Sequence, residues 1–314
     1  METCSENTAP PKVTIGLPVY NGEAFVNRAI ESLLDQTFSD FELLISDNAS
    51  TDGTAEICQL YAEKDERIVY RCNEMNLGAA PNFNGLVELA RGKYFKWAAH
   101  DDVCVSRFLE ECVHVLDSQP EVVLSYSIAG QIDADGNPLP GLSVHHAGTR
   151  PHERMKTFLH PATSCHPVFG LTRTDILRTT PCIDSYPGSD RVLLAELSLH
   201  GLLVEIPEEL FFRRFHPDQS IQRNRTARER SVWFDSLRKR PVYYPQWRRV
   251  REYAAAISRA PLSSSEKNHC RLALMGWMPT QWKPLSLEVV HGTRSVLSRR
   301  ANEKNALERD RHQE

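Results

Sequence analysis

Short apolar segments alternate with segments of helical periodicity in the first third of the chain, and this order limits the fold more than any other feature. Apolar residues recur at helical spacing between the strands, as in 26–34. Because strands joined through helices pair in parallel by right-handed crossovers, this βαβαβαβ order predicts an α/β fold with a mainly parallel central sheet. Runs typical of buried strands lie at 13–17, 41–46, 67–71 and 94–99.

Residues at the ends of these segments predict where the elements begin and end. Pro18 is expected to end the first strand. Asn21 is predicted to cap the first helix through its side-chain oxygen. Gly92 is predicted to end the third helix in a left-handed conformation.

Polar residues follow three of the predicted strands. Tyr20 and Asn21 follow the first strand, Asp47 follows the second, and Asp101 and Asp102 follow the fourth. Because ligands of open α/β sheets bind beyond the carboxyl ends of the strands, these residues are expected to converge on one site. Taken singly, Asp47 could also form an Asx turn and Asp102 could cap the next helix.

Phosphate-binding loops of the common kinds are absent from the sequence. It contains neither a Gly-x-Gly-x-x-Gly turn nor a Gly-x-x-x-x-Gly-Lys-Ser/Thr loop. Carboxylates can instead hold a diphosphate through a hard divalent cation, which also neutralises charge on a diphosphate leaving group.

An ordered set of short motifs in residues 12–220 resembles the inverting family 2 glycosyltransferases, which share the GT-A fold. The segments that carry the resemblance are 16–23 (GLPVYNGE), 36–43 (QTFSDFEL), 47–54 (DNASTDGT), 76–78 (NLG) with Asn82, 90–94 (ARGKY) and 101–102 (DD). The resemblance implies a GT-A-type nucleotide-diphospho-sugar transferase fold and a nucleotide-sugar donor.

The resemblance also implies which residues contact the donor. Pro18, Tyr20 and Asp47 would hold the base and ribose, and a carboxylate such as Asp47 can accept the imide N–H of uracil or a ribose hydroxyl. The full set of donor-binding residues predicted in this way is Pro18, Tyr20, Asn21, Asp47, Asn76, Asn82, Asp101 and Asp102.

The metal motif of the family is only partly present. Asp101 matches the last acid of an Asp-x-Asp motif, while Ala99 replaces the first acid and His100 lies between them. His216 ends an aromatic-Arg-x-His segment that approaches the diphosphate or metal in the family. The resemblance therefore implies a divalent metal, Mn²⁺ or Mg²⁺, bound by Asp101 and His216, with His100 either an additional ligand or a capping or core histidine.

A second acidic motif precedes an apolar helix at 192–197. Ser189 replaces the first acid of the family's pair and Asp190 matches the second, which carries the catalytic base. Asp190 could instead be the N-cap of that helix, and the two roles are compatible. Arg213 and Arg214 either approach the donor or pair with acidic side chains.

The charge distribution divides the chain near residue 220. Residues 221–314 hold 20 Lys and Arg against 9 Asp and Glu, whereas residues 1–220 hold 17 against 32. We therefore predict a GT-A domain at 12–220 and a basic, mostly helical C-terminal region at 221–314. That region could pack on the acidic domain or contact an anionic membrane, and it carries no recognisable nucleic-acid-binding motif.

The resemblance therefore implies an inverting glycosyltransferase that moves a sugar from a nucleotide-diphosphate sugar, with UDP favoured, to a saccharide or lipid-linked hydroxyl. A nucleotidyltransferase would need a basic Gly-rich loop after the first strand, and Ala99 and Ser189 leave a catalytically degenerate nucleotide-sugar binder as the alternative. No apolar run reaches about 18 residues and the N-terminus is polar, so the expected location is cytoplasmic, with a peripheral position on the cytoplasmic membrane face as the alternative.

Overall fold

The first half of the chain forms the predicted alternation in a computed structural model, which describes residues 9–140, 148–160, 162–219, 223–224, 226–236 and 244–290. Every residue of β1 and β2 is buried, because helices cover both faces of a parallel sheet. The elements are β1 (Val13–Val19), α1 (Val26–Leu34), β2 (Phe41–Asp47), α2 (Thr54–Lys64), β3 (Ile68–Cys72), α3 (Ala79–Leu89) and β4 (Tyr94–Trp97).

The second half completes the sheet with strands of both directions. Its elements are β5 (Val103–Cys104), α4 (Phe108–Ser118), β6 (Val122–Ile132), β7 (Pro138–Leu139), α5 (Pro151–Leu159), β8 (Leu171–Arg173), α6 (Thr174–Leu177), α7 (Ser189–His200) and β9 (Leu202–Arg214). Among the described residues the strand order is β3-β2-β1-β4-β8-β6-β9-β5, with β7 paired to β6.

Strand direction changes at β8. The neighbours β3, β2, β1 and β4 are parallel, as are β6 and β9. β8 is antiparallel to both β4 and β6, so it joins the parallel half to the mixed half. The predicted α/β fold with a mainly parallel sheet is confirmed.

Three predictions of element ends were wrong. Pro18 lies inside β1, opposite Ser46 of β2, and the β4 ladder ends at Gly16, so no β4 residue pairs with the proline. Asn21 does not cap α1, since that helix begins at Val26 and Phe25 is the N-cap residue. Gly92 does not adopt a left-handed conformation; a Cβ there would lie 2.5 Å from the Thr14 nitrogen, so close packing on β1 requires the glycine.

The C-terminal region is helical where the structure describes it, as predicted. Its helices are α8 (Ala227–Phe234), α9 (Pro245–Arg259) and α10 (Ser264–Trp277), and residues 282–290 are also helical. None of the helices in the described ranges is long and apolar enough to cross a membrane. Tyr243 and residues 291–314, which belong to the predicted basic surface, lie outside the described residues.

Two ion pairs attach α9 to the preceding part of the chain. Arg259 pairs with Glu196 of α7, with Nε 2.8 Å from Oε1, and the Glu196 side chain is only 1% exposed. Arg248 pairs with Asp184 at 2.7 Å. At least part of the basic charge therefore neutralises acidic residues within the molecule, while the division at residue 220 stays a prediction.

Candidate active site

The carboxyl ends of β1 and β2 meet at a network of polar side chains around Asp47. Asp47 is fully buried; its Oδ1 accepts the Ser50 N–H at 2.9 Å and its Oδ2 accepts the Tyr70 hydroxyl at 3.0 Å. The carboxylate thus holds the loop that follows β2. Burial, together with the charge of Asp47 and its hydrogen bond, raises the pKa of the Tyr70 hydroxyl. Its contact with a nucleotide base stays a prediction.

The predicted donor residues Asn76 and Asn82 lie in the same network. Asn82 accepts the Ser46 hydroxyl at 2.7 Å, and Asn76 accepts the Asn48 amide at 3.0 Å. Asn48 also accepts the Leu77 N–H at 2.9 Å. These bonds fix the β2, β3 and α3 loops against one another, so both asparagines shape the edge of the site.

Tyr20 and Asn21 form the rim of the site above β1. The Tyr20 side chain is 43% exposed at the end of the strand. Asn21 adopts a left-handed conformation with φ 52°, and its Oδ1 accepts the Thr51 N–H at 2.8 Å. This bond joins the loops that follow β1 and β2. The exposed Tyr20 ring follows Val19, which is paired with Asp47 of β2.

Asp101 and His216 come together although 115 residues separate them in the chain. His216 Nε2 lies 3.0 Å from Asp101 Oδ2, and the two side chains are 5% and 16% exposed. The His216 ring lies 4.5 Å from the ring of Phe25, which sets the imidazole plane. The two predicted metal ligands therefore share one position at the end of the sheet.

Arg214 holds the loop that carries the two acids. Its Nε donates to the Asp101 carbonyl at 2.9 Å and its Nη1 to the carbonyls of Asp133 and Ala134, both at 3.1 Å. Asp102 accepts the Arg214 backbone N–H at 2.9 Å, so it does not cap a helix, and α4 begins only at Phe108. Burial, together with the charge of Asp101, raises the pKa of Asp102 to about 7.

Lys96 was not predicted as a site residue from the sequence. Its charge acts on Asp102. It is 1% exposed, with its ammonium 4.5 Å from the centroid of the Phe108 ring and hydrogen-bonded to the Phe169 carbonyl. Its positive charge acts to lower the pKa of Asp102 against the effect of burial. A lysine in the middle of a buried apolar strand is the signal that would have identified it.

The donor atoms present can hold a divalent metal only together with a substrate. Within the described ranges, no group of three or more His, Cys, Asp or Glu side chains is placed to bind a metal ion. Asp101 and His216 supply one carboxylate and one imidazole, and no described residue hydrogen-bonds His216 Nδ1. This set fits Mg²⁺ or Mn²⁺ sites in which substrate phosphates and water provide the remaining ligands.

His100 is partly buried and packs against the loop after β1. Its Cδ2 lies 2.7 Å from the position that a Cβ on Gly22 would take, so the ring rests on the loop after β1. Burial lowers the pKa of His100, which favours the neutral imidazole.

Asp190 lies in the first turn of α7 and is not its N-cap. The N-cap is Gly188, in a left-handed conformation with φ 85°, and Asp190 Oδ1 accepts the N–H of Arg191 at 2.8 Å. Burial and the nearby Asp190 carboxylate raise the pKa of the Cys165 thiol to about 12. The Cys165 thiol is therefore a close neighbour of the Asp190 carboxylate.

The positive charge of Arg213 acts to lower the pKa of Asp102 and also that of Cys165, which neighbours Asp190, although burial raises both. Arg213 lies in β9, next to Arg214 and three residues before His216.

Comparison with known protein families agrees with the family resemblance of the sequence motifs. The model of glycosyl transferase family 2 matches residues 14–180, slightly more than half of the chain. A putative teichuronic acid biosynthesis glycosyltransferase of Bacillus subtilis, TuaG, is 35% identical over 131 residues, which is 41% of this chain and 51% of that protein. The chain spans about half the length of the curated relatives it matches, or less.

Solved structures share the fold. Staphylococcus aureus TarS 1–349 in complex with UDP-GlcNAc superimposes with a TM-score of 0.62 at 17% identity, covering 87% of this chain and 73% of that one. The mannosyltransferase PcManGT of Pyrobaculum calidifontis, in complex with GDP-Man and Mn²⁺, gives 0.50 at 15% identity, covering 92% and 88%. The predicted GT-A-type fold is confirmed.

Proposed function

The chain belongs to glycosyl transferase family 2, and we propose that it transfers a sugar from a UDP-sugar to a hydroxyl of a saccharide or lipid-linked acceptor, with inversion, in glycan biosynthesis. The observation that carries this proposal is the pairing of Asp101 with His216 at the strand ends, with Asp190 in the first turn of α7. A cytoplasmic location is part of the proposal.

The proposed reaction is a single displacement at the anomeric carbon. Asp190 takes the proton of the acceptor hydroxyl while that oxygen bonds to the anomeric carbon from the face opposite the diphosphate. The bond to the diphosphate oxygen breaks and its electron pair leaves with the diphosphate. The transition state resembles an oxocarbenium ion, as in glycoside hydrolysis, and no covalent sugar–enzyme intermediate forms.

Asp101 and His216 are the residues that would hold Mn²⁺ or Mg²⁺ in this proposal. A divalent ion supplies neutralisation of charge on the diphosphate leaving group. Arg214 contributes by fixing the Asp101 backbone, so that its carboxylate stays beside His216.

A catalytically degenerate nucleotide-sugar binder is the second candidate. Ala99 and Ser189 stand where the family's motifs carry acids, which favours it. Release of free sugar from the donor, or its transfer, by the purified protein would distinguish the two, because a pure binder produces neither.

We expect one class of nucleotide sugar to raise the melting temperature of the purified protein, and more so with Mn²⁺. A ligand at about 100 times its dissociation constant stabilises the native state by roughly 2.7 kcal/mol. The measurement is a thermal-shift panel of UDP-, GDP- and CMP-sugars, each with Mn²⁺ and with chelator. If none of these donors shifts the melting temperature, the proposed function is wrong.

We also expect the basic C-terminal region to bind anionic vesicles at low salt, since each basic residue near such a surface contributes about 1 kcal/mol. Trp282 and Trp247, 68% and 40% exposed, offer aromatic rings suited to the interface. Co-sedimentation should weaken as ionic strength rises. Equal, negligible binding to anionic and neutral vesicles at low salt would leave the basic residues with an intramolecular role, as for Arg248 and Arg259.

A further inference from the structure

A groove of about 800 Å³ lies between α5 and α10, and none of the residues that line it belongs to the motifs assigned to the donor. Its polar lining includes His152 and Lys156 of α5, His160 just after it, and His269 of α10. Trp277, at the end of α10, provides an aromatic wall. Pockets of this size accept several sugar units, for which aromatic faces and a few polar groups are the usual lining.

The groove carries positive charge without carboxylates in its lining. Every ionisable side chain that lines it is a lysine or histidine, and Lys156 is exposed with no ion-pair partner in the part of the chain that the structure describes. Two neighbouring acids, Glu153 and Glu266, have their carboxylates bound to the N-terminal backbone of α5 and α10. The lining itself therefore offers an ammonium group and imidazole rings, but no carboxylate, to an anionic ligand.

One end of the groove reaches the start of α7. The carbonyl of His160 accepts a hydrogen bond from Nη1 of Arg191 at 2.8 Å, and Arg191 directly follows Asp190. The Tyr253 hydroxyl donates to the Phe158 carbonyl at 3.3 Å, and this hydrogen bond connects α9 to α5. The Arg191 side chain thus connects His160, which lines the groove, to the residue that follows Asp190.

Arg249 of α9 lies at that junction. Its guanidinium carbon is 5.8 Å from the centroid of the Trp277 ring, and its Nη1 would lie 3.4 Å from a Cβ on Gly188. The other α9 arginines, Arg248, Arg251 and Arg259, each pair with a carboxylate.

Arg249 has no ion pair within the described ranges. Its Nε is buried and finds no hydrogen-bond partner there. The carboxylate of Glu288, which the charge of Arg249 influences, is bound to the N–H of Gln246 at 2.8 Å. A desolvated guanidinium with free donors is the group that binds carboxylates and phosphates most strongly.

We propose that the α5–α10 groove binds an anionic saccharide acceptor, carboxylated or phosphodiester-linked, and that Arg249 holds the charged group nearest the reacting hydroxyl at Asp190. The inference rests on the proposed function, because it assigns the acceptor class of that transferase. Lys156 and His269 contact charged groups farther along the bound saccharide, while Trp277 stacks on one of its sugar rings.

The test is direct binding without donor or metal, so that its outcome does not depend on catalysis. Fluorescently labelled oligoglucuronate, oligo(glycerol phosphate) and a neutral oligoglucoside of equal length would be titrated with the full chain at constant salt. We expect one anionic oligomer to bind at least about tenfold more tightly than the neutral one. The two anionic probes distinguish carboxylate from phosphodiester recognition.

Substitutions of residues in and near the groove test whether the oligomer binds there. Lys156→Gln and Arg249→Gln should each weaken the anionic oligomer about three- to tenfold, and the neutral oligomer little. Arg271→Gln is the matched control, because Arg271 lies on α10 two residues from His269 but does not line the groove. Equal loss in Arg271→Gln would indicate a diffuse surface effect and overturn the proposal.

The remaining outcomes separate this inference from the proposed function. If both anionic oligomers bind no better than the neutral one while a nucleotide sugar still raises the melting temperature, the groove proposal fails alone. Binding to anionic vesicles that Lys156→Gln weakens, without binding to either oligomer, would assign the groove to lipid and also overturn it. A protein that binds the oligomer but no nucleotide sugar would contradict the proposed function instead.

Discussion

Asp190→Asn is expected to lower turnover in sugar transfer by about 10²–10⁴, because the amide cannot accept the proton of the acceptor hydroxyl. Donor affinity should change little, since the predicted nucleotide contacts lie at the ends of β1 and β2. The helix should also keep its start: the asparagine Oδ1 can accept the Arg191 N–H that Asp190 accepts at 2.8 Å. Steady-state kinetics and donor-dependent thermal shifts measure the two quantities separately.

Asp175→Asn is a matched control for that variant. Asp175 lies in the first turn of α6, is exposed, and accepts the N–H of Ile176 at 2.8 Å, the same local bond that Asp190 makes. Its variant should transfer sugar at the wild-type rate. If Asp190→Asn kept more than about a tenth of wild-type turnover, the general-base role would be excluded.

The parallel half of the fold could be predicted because its signals are local. Each strand from β1 to β4 is a short apolar run, and each intervening helix shows its own periodicity. Element ends were less predictable, since Gly92 and Asn21 are determined by tertiary contacts. Gly92 packs against Thr14, and Asn21 bonds to Thr51 in another loop.

The mixed half of the sheet has no comparable local signal. β8 is three residues long and lies between β4 and β6, and β9 pairs with β6 through three register shifts. Such pairings depend on distant segments that bury one another, and the sequence pattern of a three-residue strand does not identify its partners.

The residues of the candidate site also differ in how far they could be predicted from the sequence. The resemblance placed Asp101 and His216 in one function, and the structure brings their side chains to 3.0 Å. The position of Lys96 depends on its burial against Phe108, and the Arg214 contacts depend on backbone carbonyls of distant loops. No sequence motif indicates either feature. The groove between α5 and α10 is likewise a product of packing between segments about 100 residues apart.

Asp101→Ala is expected to weaken nucleotide-sugar binding about tenfold or more in the presence of Mn²⁺, and much less with chelator. The substitution removes the carboxylate that faces His216 but leaves the Asp101 carbonyl bound to Arg214, so the loop should stay in place. Isothermal titration with the donor, with and without Mn²⁺, measures the effect. The exposed Asp35, at the end of α1, provides an Asp→Ala control that should respond to Mn²⁺ as the wild type does.

The metal response separates a ligand from a residue that only supports the fold. A structural role for Asp101 would lower affinity equally in Mn²⁺ and in chelator, because the loop would be displaced in both conditions. A ligand role predicts a loss confined to the Mn²⁺ condition, since the diphosphate and the carboxylate then share the cation. If Asp101→Ala and wild type respond identically to Mn²⁺ and chelator, Asp101 is not a ligand. Because the described residues offer only His216 as its protein partner at that position, the metal proposal would fail with it.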